Sequence, residues 1–203
     1  MKKMRMNDVV CLYLGIILFF LMDILYYIKP LSRLDIALLL DVREKLSAFH
    51  LLFFWIAKYM NLYILTIVVV GILFFMRKRT IAYWLLGNTV IVGLCFNYLL
   101  KNMFHRVRPT IVPQLIQERS FSFPSGSVLV STLLFGGLCL IASQLIKKRS
   151  YCWMFQTLMV VLILLVSLSR IYVGVHYPTD VLAAICLGFS ALLISKYFLE
   201  REK

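Results

Sequence analysis

The chain has 203 residues, 62% of them apolar, with a mean hydropathy of +0.90. A soluble globule carries only ~45–50% apolar residues, so one integral membrane domain over 1–203 is expected and a soluble protein is excluded. A net charge of +13 would suggest nucleic acid in a soluble chain. Here the basic residues stand in short clusters between apolar runs, which suits topology signals and anionic headgroups and excludes a nucleic-acid partner.

Lys2, Lys3 and Arg5 precede Asp8, a candidate helix N-cap, and the apolar run 9–28. This run is long enough to cross a bilayer core of ~30 Å. It ends at Tyr26-Tyr27-Ile28-Lys29-Pro30 with no small-residue cleavage site, so it reads as span one and not as a signal peptide. Asp23 is its acid, expected near an interface or paired; a proton-relay role is the rarer alternative. Pro30 is expected to end the helix.

From 33 to 45 charges (Arg33, Asp35, Asp41, Arg43, Glu44, Lys45) alternate with leucines, the pattern of an interfacial amphipathic helix. The long run that follows is split into an interfacial or re-entrant part, 46–59, and span two, 60–76; His50 reads as an interfacial side chain. After the basic turn Arg77-Lys78-Arg79 come span three (81–100, with Asn88 and Asn97), a polar stretch, span four (127–146), a second basic turn Lys147-Lys148-Arg149, span five (152–168) and span six (179–198). Trp55, Trp84 and Trp153 read as interface belt residues. Cys11, Cys95, Cys139, Cys152 and Cys186 lie in or beside apolar runs without ligand spacing and read as small packing residues. The fold class expected is all-α, a six-span helical membrane bundle.

With six spans, both termini and both basic turns fall on one side, which the positive-inside tendency makes the cytoplasm. The 101–126 and 169–178 loops then share the opposite face, and they carry Lys101, Arg106, Arg108, Arg119 and Arg170 against that tendency. Three segments meet there. Lys101 and Arg108 are seven residues apart, ~10 Å along one face if the helix continues to Pro109. Pro124-Ser125-Gly126-Ser127 opens span four, where free backbone N–H groups and the dipole favour an anion. In 169–180, Pro178 fits the first helical position, Asp180 the first turn, and His176 stands within reach of that carboxylate. A carboxylate on one ring nitrogen leaves the other free as nucleophile or base.

In that order these segments resemble the signature of the type 2 phosphatidic acid phosphatase superfamily: Lys-x6-Arg-Pro at Lys101, Arg108 and Pro109; Pro-Ser-Gly-His at Pro124, Ser125 and Gly126; Ser-Arg-x5-His-x3-Asp at Ser169, Arg170, His176 and Asp180. The resemblance implies a reaction without metal or other cofactor, on a lipid phosphate or diphosphate of the undecaprenyl diphosphate or phosphatidylglycerol phosphate type. His176 would attack phosphorus and form a phosphohistidine. Asp180 would orient it, and Lys101, Arg108, Arg170, Ser125 and Gly126 would hold the phosphoryl oxygens. A bacterial inner-membrane location with the site at the outer face goes with it.

One position departs from the signature. Where the family has the histidine that protonates the leaving oxygen, this chain has Ser127, and an alcohol cannot supply a proton as an imidazolium does. Four explanations stand side by side: an introduced change at 127, His105 as a substitute acid, a diphosphate substrate whose leaving group needs little protonation, or a non-catalytic lipid-phosphate binder or transporter. His105 also reads as a plain interfacial histidine, and Arg106 and Arg119 as headgroup or loop charges. The six spans argue against a soluble vanadium haloperoxidase, whose site is related. Oligomeric state is not legible.

Overall fold

In a computed structural model, residues 6–27 and 29–201 are described. Lys2, Lys3, Arg5 and Ile28 of the expectations above lie outside them. The described residues form helices and connecting loops without strands. The helices are α1 (Met6–Tyr27), α2 (Lys29–Lys45), α3 (His50–Tyr59), α4 (Leu62–Phe75), α5 (Arg79–Phe104), α6 (Gly126–Leu145), α7 (Arg149–Tyr172) and α8 (Pro178–Arg201).

Five of these, α1 and α5 to α8, are long and apolar enough to cross a membrane. The pair Ser47–Tyr59 and Leu62–Phe75, bent by 71°, makes up to six. At 1.5 Å per residue the 14 residues of α4 reach about 21 Å, short of a ~30 Å core. Span two therefore starts at Leu62 and is completed only by the bent α3. The break has a local cause: Asn61 is extended, and its side-chain oxygen accepts from Tyr63 N and Ile64 N, both at 3.1 Å, capping α4.

The apolar stretches bury very unequally, 72% in α6 against 6% in α1, so α6 is the central post. Its Val128, Leu129, Leu133, Leu134 and Ile141 form one core with Leu85 of α5, Val166 of α7 and Leu192 of α8. α1 packs along α8, and α3 against α7. Many large apolar side chains, such as Ile17, Ile67, Ile91 and Leu164, face outward, as lipid-facing positions should. Both α5 and α6 contain a wider π-type stretch, Asn88–Phe96 and Thr132–Gly136.

Several local expectations are corrected. Asp8 lies in the first turn of α1 and Pro30 in the first turn of α2, so each sits inside a helix start. Trp55 and Trp153 are exposed, whereas Trp84 packs on the core and its ring lies against Gly137. Of the cysteines, all free, only Cys152 is buried, while Cys11 and Cys95 are exposed. His50 lies beside the Tyr172 hydroxyl at 3.4 Å.

Candidate active site

The C-terminal ends of α5 and α7, the N-terminal ends of α6 and α8, and α2 converge at one end of the bundle, away from the turns at 77–79 and 146–148. α8 opens as its sequence dictates. Pro178 stands first, needing no N–H partner, and Asp180 reaches back so that its Oδ2 accepts from Tyr177 N at 2.8 Å. Just ahead, α7 ends in a turn at Gly174, whose φ of +76° favours glycine; a Cβ there would lie 2.8 Å from Val112 Cγ2. That turn delivers His176 to the start of α8.

The His176 ring is buried, with Nδ1 3.5 Å from Asp180 Oδ2 and 3.4 Å from Ser122 Oγ. Ser122 Oγ itself donates to Asp180 Oδ2. Nε2 faces the other way, 3.3 Å from the Arg108 guanidinium. Burial is the main reason that the imidazole is pushed down to about 3, opposed by its contact with Asp180 and assisted by Arg108. Its ring is thus neutral at pH 7, with a lone pair on the Nε2 side.

This has a consequence for stability. The unfolded chain holds the same imidazole near 6.5, so below that pH it binds a proton that the folded chain refuses. Stability from this group is full above 6.5 and is lost as pH falls toward 3. The melting temperature in detergent is expected to drop across that window, and His176→Gln to flatten the drop.

The second motif opens α6. Ser125 is fully buried, its N donates to Asp180 O at 3.2 Å, and its hydroxyl has no hydrogen-bond partner. Gly126 lies close against α5: a Cβ there would meet Asn97 Nδ2 at 2.9 Å, so a larger residue would have to push that amide aside. Ser127 lines a cavity of about 260 Å³ with Arg170, Glu118, Lys58 and Asn61, opening at the break between α3 and α4.

Lys101 and Arg108 do come together, but along a different path from the one expected. The helix stops at Phe104, His105 takes a left-handed conformation (φ 50°), and Arg108 belongs to the returning loop. Lys101 Nζ donates to Phe121 O; Arg108 donates to Ser120 O at 2.8 Å and to Val175 O at 2.7 Å. Arg170, from the last turn of α7, donates to Glu118 Oε1 at 3.3 Å, and Glu118 Oε2 lies 3.8 Å from Arg108. Arg170 Nε is buried without a hydrogen-bond partner. His105 is exposed, its ring edge-on to Phe121 at 4.6 Å.

The cations, the free hydroxyl and the neutral histidine at one bundle end carry the three motif segments in one place. A family model described as the PAP2 superfamily matches residues 82–203, from α5 onward. The chain belongs to the PAP2 superfamily. It is 33% identical over 141 residues to phosphatidylglycerophosphatase B of Bacillus subtilis, covering 68% of each chain. With undecaprenyl-diphosphatase BcrC of the same organism it shares 33% over 132 residues, 54% of this chain and 62% of that one. Its structure matches the crystal structure of a transmembrane PAP2 type phosphatidylglycerolphosphate phosphatase from Bacillus subtilis with a TM-score of 0.80, at 27% identity and 98% coverage of both chains. An all-helical PAP2 membrane bundle is therefore what the chain forms.

Within this PAP2 site four side chains escaped the sequence reading. Arg106, read as a headgroup or loop charge, is only 2% exposed and is clamped between two carboxylates, Asp180 Oδ1 and Asp35 Oδ2, both at 2.7 Å. Asp35, read as an interfacial charge of α2, caps α8 from outside, its Oδ1 accepting from Thr179 N at 3.0 Å. Thr179 and Tyr177 complete the clamp: Arg106 donates to Thr179 Oγ1 at 2.8 Å and stacks on Tyr177 at 4.7 Å. Ser122 and Glu118 are the other two missed. Arg106, two residues before the Arg-Pro pair, offered a signal only in being one more cation on the unexpected face.

Proposed function

We propose that the chain is an integral membrane lipid phosphatase acting on a lipid phosphate or diphosphate through a phosphohistidine on His176. The observation that carries the reading is the buried, neutral His176, with Nδ1 turned to Asp180 and Nε2 turned to the arginine side. Nε2 attacks phosphorus, and Asp180 steadies the imidazolium character that develops on the ring. Arg108, Arg170 and Lys101, the Ser125 hydroxyl and the first N–H groups of α6 hold the phosphoryl oxygens and meet their charge in the transition state. The unpartnered Ser125 Oγ and Arg170 Nε are donors awaiting such a ligand. Water then hydrolyses the phosphohistidine.

Lys101, Arg108 and Arg170 supply the charge that a metal would otherwise bring. The reading is metal-independent. The relatives' names give the substrate classes, phosphatidylglycerol phosphate and undecaprenyl diphosphate. The basic turns at the far end of the bundle support a site at the outer face of a bacterial inner membrane with cytoplasmic termini, in one domain over 1–203. Ser127 favours a second reading, a lipid-phosphate binder without turnover.

The test is phosphate release in detergent from lipid monophosphates and diphosphates, with chelator present. Release that vanadate inhibits supports the enzyme. Saturable binding with no release over long incubation supports the binder.

A further inference from the structure

We propose that Glu118 is a catalytic residue of this site, delivering to the leaving oxygen of a lipid phosphate monoester the proton that Ser127 cannot. The inference rests on the phosphatase reading above and names the substrate class within it. Glu118 is the acidic side chain among the residues lining the cavity that also holds Ser127 and Arg170. Its two oxygens face Arg170 at 3.3 Å and Arg108 at 3.8 Å, two of the cations assigned to the phosphoryl group. A phosphoryl group held by those arginines must lie against this carboxylate.

The other proton-bearing groups of the cavity are engaged elsewhere. Tyr63 donates its hydroxyl proton to Gly93 O at 3.1 Å, and the Lys58 ammonium stands over the Phe54 and Tyr59 rings at 5.2 Å. Glu118 belongs to the irregular loop between α5 and α6 and its side chain is 35% exposed, so it can yield the arginines to a ligand and stay beside it. Two oxyanions sharing the same cations repel each other, and one proton held between them relieves that repulsion. A monoester arriving as its monoanion brings that proton.

The step balances. The Nε2 lone pair of His176 forms the N–P bond while the P–O bond to the lipid breaks, and its electron pair stays on the leaving oxygen. That oxygen takes the Glu118 proton and departs as an alcohol. Water then attacks phosphorus and keeps its protons on the phosphate; the P–N bond breaks, its pair returns to Nε2, inorganic phosphate leaves as its monoanion, and the next monoanionic monoester reprotonates Glu118. An alkoxide needs this proton, whereas a phosphate leaving group does not and gains nothing from it. The site accordingly favours monoesters over diphosphates.

Glu118→Gln keeps the shape and removes the proton. It is expected to lower kcat about 10²-fold on a short-chain phosphatidic acid, whose leaving group is an alkoxide, within the range of general acid catalysis. On p-nitrophenyl phosphate, whose leaving group needs no proton, the loss should stay within about 3-fold. Vanadate inhibition should persist, showing an intact site, and adding Ser127→His should return activity on phosphatidic acid. Equal losses on both substrates overturn the inference, as does undiminished turnover with tighter vanadate binding, which makes Glu118 a mere occupant of the anion site. If the unaltered protein releases phosphate from neither substrate, the phosphatase reading itself fails.

Discussion

Arg106→Leu is expected to abolish turnover and to lower the stability of the fold by about 3–5 kcal/mol, the scale for removing one partner from a buried ion pair. The guanidinium bonds Asp35 and Asp180 at 2.7 Å each, and both carboxylates are almost completely buried, at 2% and 0% side-chain exposure. Without it, two negative charges face each other across the start of α8, and the carboxylate that meets His176 loses its fixed position. Arg106→Lys keeps the charge but not the planar fork that spans both acids, so it should recover part of the stability and little of the turnover. Asp35→Asn, which keeps an acceptor for Thr179 N, should be the mildest of the three. Thermal melting and phosphate release in the same detergent check the order; an Arg106→Leu protein with normal melting and activity would refute the clamp.

Arg170→Lys is expected to leave the fold nearly intact yet to lower kcat/KM about 10²–10³-fold, the loss typical of one preorganised donor to transition-state charge. Arg170 ends α7, is buried, and keeps an unpartnered Nε beside the Glu118 contact. A lysine would preserve charge while offering a single point donor that cannot match two phosphoryl oxygens. A loss confined to KM would mean that Arg170 only attracts the headgroup.

The spans were legible because bilayer thickness imposes a length on apolar runs, and the starts of α6 and α8 because Pro, Ser, Gly and Asp act within one turn. What escaped depends on long separations. Asp35 and Arg106 are 71 residues apart and Arg106 and Asp180 74 apart, and an alternating charge pattern in α2 looks the same whether its acid faces headgroups or an arginine. The break between α3 and α4 shows in the polar Lys58 and Asn61, which split the run at 59/60, whereas its 71° bend leaves no mark in the sequence. The helical spacing from Lys101 to Arg108 failed because His105 adopts φ 50°, a local reversal that periodicity cannot register. Glu118 lay in a polar stretch without pattern, and only folding sets it against Arg108 and Arg170.

The most direct test of the central claim is to mix the protein with lipid phosphate labelled on the phosphoryl group, quench within milliseconds in alkali, and look for label on the chain. Acid-labile, alkali-stable label on His176, absent in His176→Asn together with turnover, is the predicted result. Full phosphate release by His176→Asn would contradict the account.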